Sequence, residues 1–251
     1  MIENKMFCFQ CQETAKGTGC TIKGVCGKEA ETSKWQDLLI SVVRGIGTIQ
    51  HALGGKPSKE VADYIVDSLF ATITNANFDD QSILNKVDTG LSLKKKLIEE
   101  ASNRNISLPD YQEVRWGGEK SDYSEEGIRE GVLRNENPDL RSLKELTILG
   151  LKGMSAYYDH ASRLDETNDE IIAFMCKALS EISNPNADMD TLISLVLETG
   201  KYGVDAMALL DKANTSAYGN PEITKVNIGV GKNPGILVSG HDLKDIEALL
   251  I

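Results

Sequence analysis

Apolar positions along most of this chain recur with the period of a helix. Trp35, Leu38, Leu39, Val42, Val43, Ile46 and Ile49 step by threes and fours, which predicts a helix with one apolar face. Gly54-Gly55-Lys56-Pro57 stops it, and Ser58 with Glu60 starts the next. Val61, Ile65, Leu69, Phe70 and Ile73 carry that second helix toward Asn75-Ala76-Asn77. A third, more polar helix is expected over 81–102. Residues 103–138 are rich in Asn, Gly, Ser and Glu and include Pro109 and Pro138. They read as a long loop with one short helix, and a loop of that length divides two helical bundles. Asp139 is the expected N-cap of a fourth helix carrying Leu140, Leu143, Leu146, Leu149 and Leu151. Two more helices fit 167–183 and 189–213, the last with Leu192, Ile193, Leu195, Val196, Met207, Leu209 and Leu210 as its apolar face. The expected fold is mainly α: a helical domain over 31–222, built as two three-helix bundles divided near 103–138.

The pattern changes after Pro221. Val226-Asn227-Ile228-Gly229-Val230 and Ile236-Leu237-Val238 read as short strands, and Leu243, Ile246, Leu249 and Leu250 as a helix. Strand, glycine, polar residues, helix is how a Rossmann-like α/β domain begins. Ligands of such sheets sit beyond the carboxyl ends of the strands, where His241 falls. One strand pair and a helix cannot cover both faces of a sheet. Residues 223–251 are therefore expected to be the start of an incomplete, truncated α/β domain.

Charge and composition narrow the function. The chain has 251 residues and a formal net charge of -11, which argues against nucleic acid and anionic membranes as partners. No run of 18 apolar residues is present, so no membrane span is expected, and the first residues lack the apolar core of a secretory signal. A cytoplasmic protein is the expectation.

The chemistry is concentrated in residues 1–30. Cys8, Cys11, Cys20 and Cys26 follow the pattern C-x2-C-x8-C-x5-C, and only one other cysteine, Cys176, follows. One hook and two widely spaced single cysteines suit an iron–sulfur cluster, in which each iron takes its own thiolate. Gly17, Gly19, Gly24 and Gly27 let the backbone wrap closely, and Lys16, Lys23 and Lys28 offset the thiolate charge. A structural zinc site and a pair of disulfides remain alternatives on spacing alone. Cys176, in the apolar run Ile171–Cys176, reads as a buried, inert helix cysteine. His51, near a helix end, and His160 read as surface or packing residues.

Met6-Phe7-Cys8-Phe9-Gln10-Cys11-Gln12-Glu13-Thr14-Ala15, with Cys20 and Gly24-Val25-Cys26-Gly27-Lys28, closely resembles the amino terminus of the hybrid cluster proteins, also called prismane proteins or hydroxylamine reductases. The resemblance runs over residues 6–251. It includes Leu69–Asn77, Ala213–Thr215, Tyr218–Glu222 and Pro234–Leu243. It implies a helical amino-terminal domain of two three-helix bundles followed by α/β domains. It also implies that Cys8, Cys11, Cys20 and Cys26 hold a [4Fe-4S] cluster, on the x8 and x5 spacings of members from strict anaerobes. His241 is then the histidine ligand of a hybrid iron–sulfur–oxygen cluster, whose other cysteine and glutamate ligands belong to a carboxyl-terminal half.

The resemblance implies reduction of hydroxylamine to ammonia, or of nitric oxide, with electrons from a redox partner. It also implies that this chain is the amino-terminal part of such an enzyme, inactive alone unless a separate carboxyl-terminal chain completes it. The alternatives are a single-cluster electron-transfer module and an inactive truncated remnant.

Overall fold

A computed structural model describes residues 6–238 and 242–251. The described residues are mainly helical. Helices α1 (Ala30–Leu53), α2 (Lys59–Ala71) and α3 (Asp80–Asn103) are followed by the short α4 (Gln112–Arg115) and α5 (Tyr123–Arg129). Helices α6 (Pro138–Ser162), α7 (Asp169–Ser183), α8 (Met189–Tyr218) and α9 (Leu243–Leu250) complete the order. The expected caps hold for α2, where the Ser58 hydroxyl accepts from the Val61 N–H at 3.3 Å. The fourth long helix starts two residues earlier than expected. Pro138 takes the first helical position and Asn137 is the cap, accepting from the N–H groups of Asp139 and Leu140.

Helix α1 is the axis of the molecule. Of its 24 residues, 17 are buried, so it is enclosed on nearly all sides rather than on one face. It packs against α3, α7, α5, α4 and α2, while α6 packs on α8 and α2. One apolar cluster runs through all these elements, from Leu38, Val42 and Ile46 to Leu151, Met175, Leu179 and Leu192. Gly45 permits a close backbone approach: a Cβ there would stand 2.3 Å from the Glu113 carbonyl oxygen, which cannot retreat.

Part of the segment 103–138 is buried. Val114 and Tyr123 join the core, and Glu113, Glu126 and Glu130 are buried. Arg44, fully buried on α1, pairs with Glu113 at 2.9 Å and Glu130 at 2.6 Å. The segment is held by buried charge as well as by apolar side chains.

Two expected faces are only partly buried. On α8, Leu192 and Leu195 are buried but Ile193 and Met207 are exposed. On α6, Leu151 is buried and Leu146 is exposed, because the inward line runs through Thr147, Ile148, Met154 and Tyr158.

The strands expected at 226–230 and 236–238 are not formed among the described residues. Ile223, Ile228, Val230 and Ile236 are almost wholly exposed. A lone extended segment has no partner ladder to hold it as sheet. The expected helix from Leu243 is present as α9.

Candidate metal centre

The four expected ligands lie in the loop before α1. Cys8 and Cys20 form an isolated antiparallel bridge. The Cys8 N–H donates to the Cys20 carbonyl at 3.0 Å, and the Cys20 N–H donates to the Cys8 carbonyl at 2.8 Å. Directly opposed residues carry their side chains on one face, so both sulfurs leave the bridge together. The chain between them turns back after Cys11, whose carbonyl accepts from the Thr14 N–H at 3.2 Å. Lys16 then adopts the left-handed φ of 57°.

That turn aims donors at Cys20, which is buried. The Ala15 N–H donates to Cys20 Sγ at 3.4 Å, and Thr14 Oγ1 stands 3.6 Å from the same sulfur. These groups hold the Cys20 thiol below its ordinary pKa, the Ala15 amide most, then the Val25 amide and the Thr14 hydroxyl, against the opposing effect of burial. The Thr14 hydroxyl also reaches the Cys8 carbonyl at 3.0 Å. Its single proton serves one acceptor at a time.

Cys26 lies on the exposed side of the loop. Gly24 donates to the Lys28 carbonyl at 2.8 Å, and Gly27 donates to the Gly24 carbonyl at 2.8 Å. A Cβ on Gly24 would stand 2.9 Å from Cys26 Sγ, so only glycine lets the backbone pass this close to the sulfur.

Of the three expected lysines, Lys28 alone reaches a sulfur. Its Nζ stands 3.9 Å from Cys8 Sγ and donates to Gln36 Oε1 at 2.6 Å. Gln36 in turn donates to the Asn77 carbonyl at 3.0 Å. Lys23 is engaged with Glu29, and Lys16 is exposed. A second cation comes from far along the chain. Lys152 on α6 donates to Gln10 Oε1 and to the Thr72 carbonyl, both at 3.1 Å. Gln10 Nε2 stands 4.0 Å from Cys8 Sγ. Burial, then the nearby Lys28 charge, push the Lys152 ammonium down to about 8. The segment 72–77 thus braces the cysteine loop through Lys152 and Gln36. Sequence reasoning missed this, although Gln36 and Asp37 interrupt the apolar periodicity of α1.

Beneath the loop is a cavity of about 30 Å³. Cys8, Gln10, Asp37, Arg134, Glu145 and Lys152 line it. Asp37 is half-buried and lines it. Burial pushes its carboxyl up to about 7; Glu145 adds to the rise, and Lys152, Lys28 and Arg134 oppose it.

All five cysteines are free. Among the described residues, no three His, Cys, Asp or Glu side chains converge on one point that would suit a single metal ion. A cluster of several irons takes its thiolates apart from one another. The donor set fits a cluster: unoxidised thiols, an amide and a hydroxyl on Cys20, and two lysines toward Cys8.

The other candidates are placed as follows. Cys176 is buried on α7 as expected, and burial alone pushes its thiol up to about 12. His160 stands edge-on to Phe70, at 5.7 Å between ring centroids, and its Nδ1 pairs with Asp242, so it serves packing. His51 is exposed in the last turn of α1. His241 lies outside the described residues; its neighbour Asp242 caps α9, accepting from Lys244 N–H at 2.9 Å. No described helix is long and apolar enough to cross a membrane.

Comparison with known proteins gives a consistent picture. The family model described as Prismane/CO dehydrogenase family matches residues 6–251. A hydroxylamine reductase of Bacteroides fragilis is 55% identical over 247 residues, covering 98% of this chain and 45% of that protein. A hydroxylamine reductase of Porphyromonas gingivalis is 51% identical over 253 residues, covering 99% and 46%. One of Desulfitobacterium hafniense is 51% identical over 250 residues, covering 98% and 46%. The chain spans about half the length of the curated relatives it matches, and it corresponds to their amino-terminal half.

Proposed function

The chain belongs to the Prismane/CO dehydrogenase family, and on that premise we propose that Cys8, Cys11, Cys20 and Cys26 hold one [4Fe-4S] cluster that passes electrons toward hydroxylamine reduction. The observation that carries this reading is the Cys8–Cys20 bridge, with free thiols and with donors aimed at Cys20 Sγ. N–H and O–H donors to sulfur stabilise the thiolate, the form that binds iron. When bound, the cluster supplies one-electron transfer. Lys28 and Lys152 face the Cys8 side with positive charge and offset the thiolates. The amides of Ala15 and Val25 lower the Cys20 pKa and so favour its thiolate. Gln36 and Thr72 fix the two lysines from α1 and from the turn after α2.

Substrate reduction is proposed for a protein of the relatives' length. Within these 251 residues the fifth cysteine is buried on α7, so no second thiolate set is available. The reaction takes hydroxylamine, two electrons and two protons to ammonia and water, with His241 as a ligand of the hybrid iron–sulfur–oxygen cluster. A redox partner donates the electrons. The test is reoxidation of a reduced viologen by hydroxylamine, using this sequence within a polypeptide of the relatives' length. His241→Ala should abolish turnover while the electron paramagnetic resonance of the first cluster persists. Undiminished turnover in that variant contradicts the assignment.

A further inference from the structure

Two hollows meet inside this domain. One is the cavity against Cys8, lined by Gln10, Asp37, Glu145 and Lys152. The other is a solvent cleft of about 510 Å³, lined by Tyr111, Arg115, Arg129, Lys144 and Asn135. Glu130 and Arg134 line both, so these two side chains are the wall between bulk water and the cavity. The wall is made of exchangeable, charged groups rather than of packed hydrocarbon. Arg134 donates to Glu145 at 3.0 Å, and Glu130 pairs with Arg44.

Inside the cavity, Asp37 stands apart. It makes no hydrogen bond and no ion pair with any described side chain, whereas its neighbours Glu145, Lys152 and Arg134 are all engaged. A half-buried carboxyl that faces a small cavity without a partner is less well solvated as an anion, and a polar space of this size has room for water. Every charged element packed around it belongs to this network: Glu145 and Lys152 from α6, Arg134 and Glu130 from the segment after α5, and Lys28 from the cysteine loop.

We propose that Asp37 is a proton-binding site coupled to the metal centre. Reduction of the centre by one electron from an external one-electron donor is accompanied by uptake of one proton from solvent onto the Asp37 carboxylate. The proton enters from the cleft by way of Glu130, Arg134 and Glu145. The electron stays on the centre, the carboxylate becomes a carboxylic acid, and the net charge of the buried region is unchanged. The driving force is electrostatic. A negative charge added on the far side of a small, poorly screened cavity favours the neutral form of an unpartnered carboxyl. Asp37 is poised for this because it lines that cavity without a partner, and desolvation there pushes its carboxyl up to about 7.

The proposal rests on the cluster reading above, and its test separates the two. Iron and sulfide content together with the visible spectrum report the cluster alone. In the metal-free chain, an infrared titration should show a protonated carboxyl band that disappears near neutral pH and is missing in Asp37→Asn. In the loaded chain, the reduction potential should fall as pH rises through neutrality, and reduction should withdraw a proton from a lightly buffered solution. Asp37→Asn should make the potential independent of pH over this range, with the visible spectrum unchanged. Glu145→Gln, which removes the like charge, should move the pH-dependent window downward, and this second variant serves if Asp37→Asn loads poorly. A wild-type potential that does not vary with pH overturns the proposal, as does an unaltered slope in Asp37→Asn.

Discussion

At the scale of single residues, the centre is set by what surrounds each sulfur. Cys20 is buried yet held toward the thiolate by Ala15, Val25 and Thr14, whereas Cys176 is buried among hydrocarbon and held as the thiol. Burial alone therefore does not decide which way a thiol shifts; donors do. Thr14→Val removes the hydroxyl and keeps the shape. The Cys20 thiol should rise toward its ordinary value. Because a lowered thiol pKa keeps the thiolate at lower pH, wild type should load iron at acidities where the variant fails. Rates of anaerobic cluster assembly as pH is lowered check this, with the variant's profile displaced upward in pH. Superimposable profiles would remove Thr14 from the account. The cysteine spacing, Gly24 and Lys28 were legible in the sequence because they are local. Lys152 was not, because its partner Gln10 is 142 residues away. Asp37 was hidden for a related reason: it matters only through a cavity that α6 and the segment after α5 close over it.

At the scale of elements, the helical period was legible wherever one apolar face meets one core. It placed α1, α2, α3, α7 and the start of α8 within a few residues. It undersized the role of 103–138, because this segment docks through buried ions. Arg44 sits in the middle of α1 and joins it to Glu113 beside α4 and to Glu130 after α5. Breaking a buried pair from one side leaves uncompensated charge, so Arg44→Met should cost about 3–5 kcal/mol in chemical denaturation. Replacing Glu113 and Glu130 by glutamine in the same chain should recover part of that loss. A cost below about 1 kcal/mol would show that the triad is not what holds this segment on α1. The two strands read from 226–230 and 236–238 failed because alternation of apolar residues expresses a preference for sheet but supplies no partner.

At the scale of the whole molecule, a chain with net charge -11 directs two of its lysines inward, at one face of one loop. That concentration of positive charge beside Cys8, in a protein otherwise rich in acid, is what a cluster of thiolates requires. The family match runs over residues 6–251. The most direct measurement is the metal and sulfide content of the anaerobically reconstituted 251-residue chain, wild type beside Cys20→Ser. The account predicts about four irons and four labile sulfides per chain. Cys20→Ser should lose or convert the cluster, because serine is a poorer partner for soft-ligand chemistry. One zinc per chain with no labile sulfide, or two disulfides among Cys8, Cys11, Cys20 and Cys26, would contradict it.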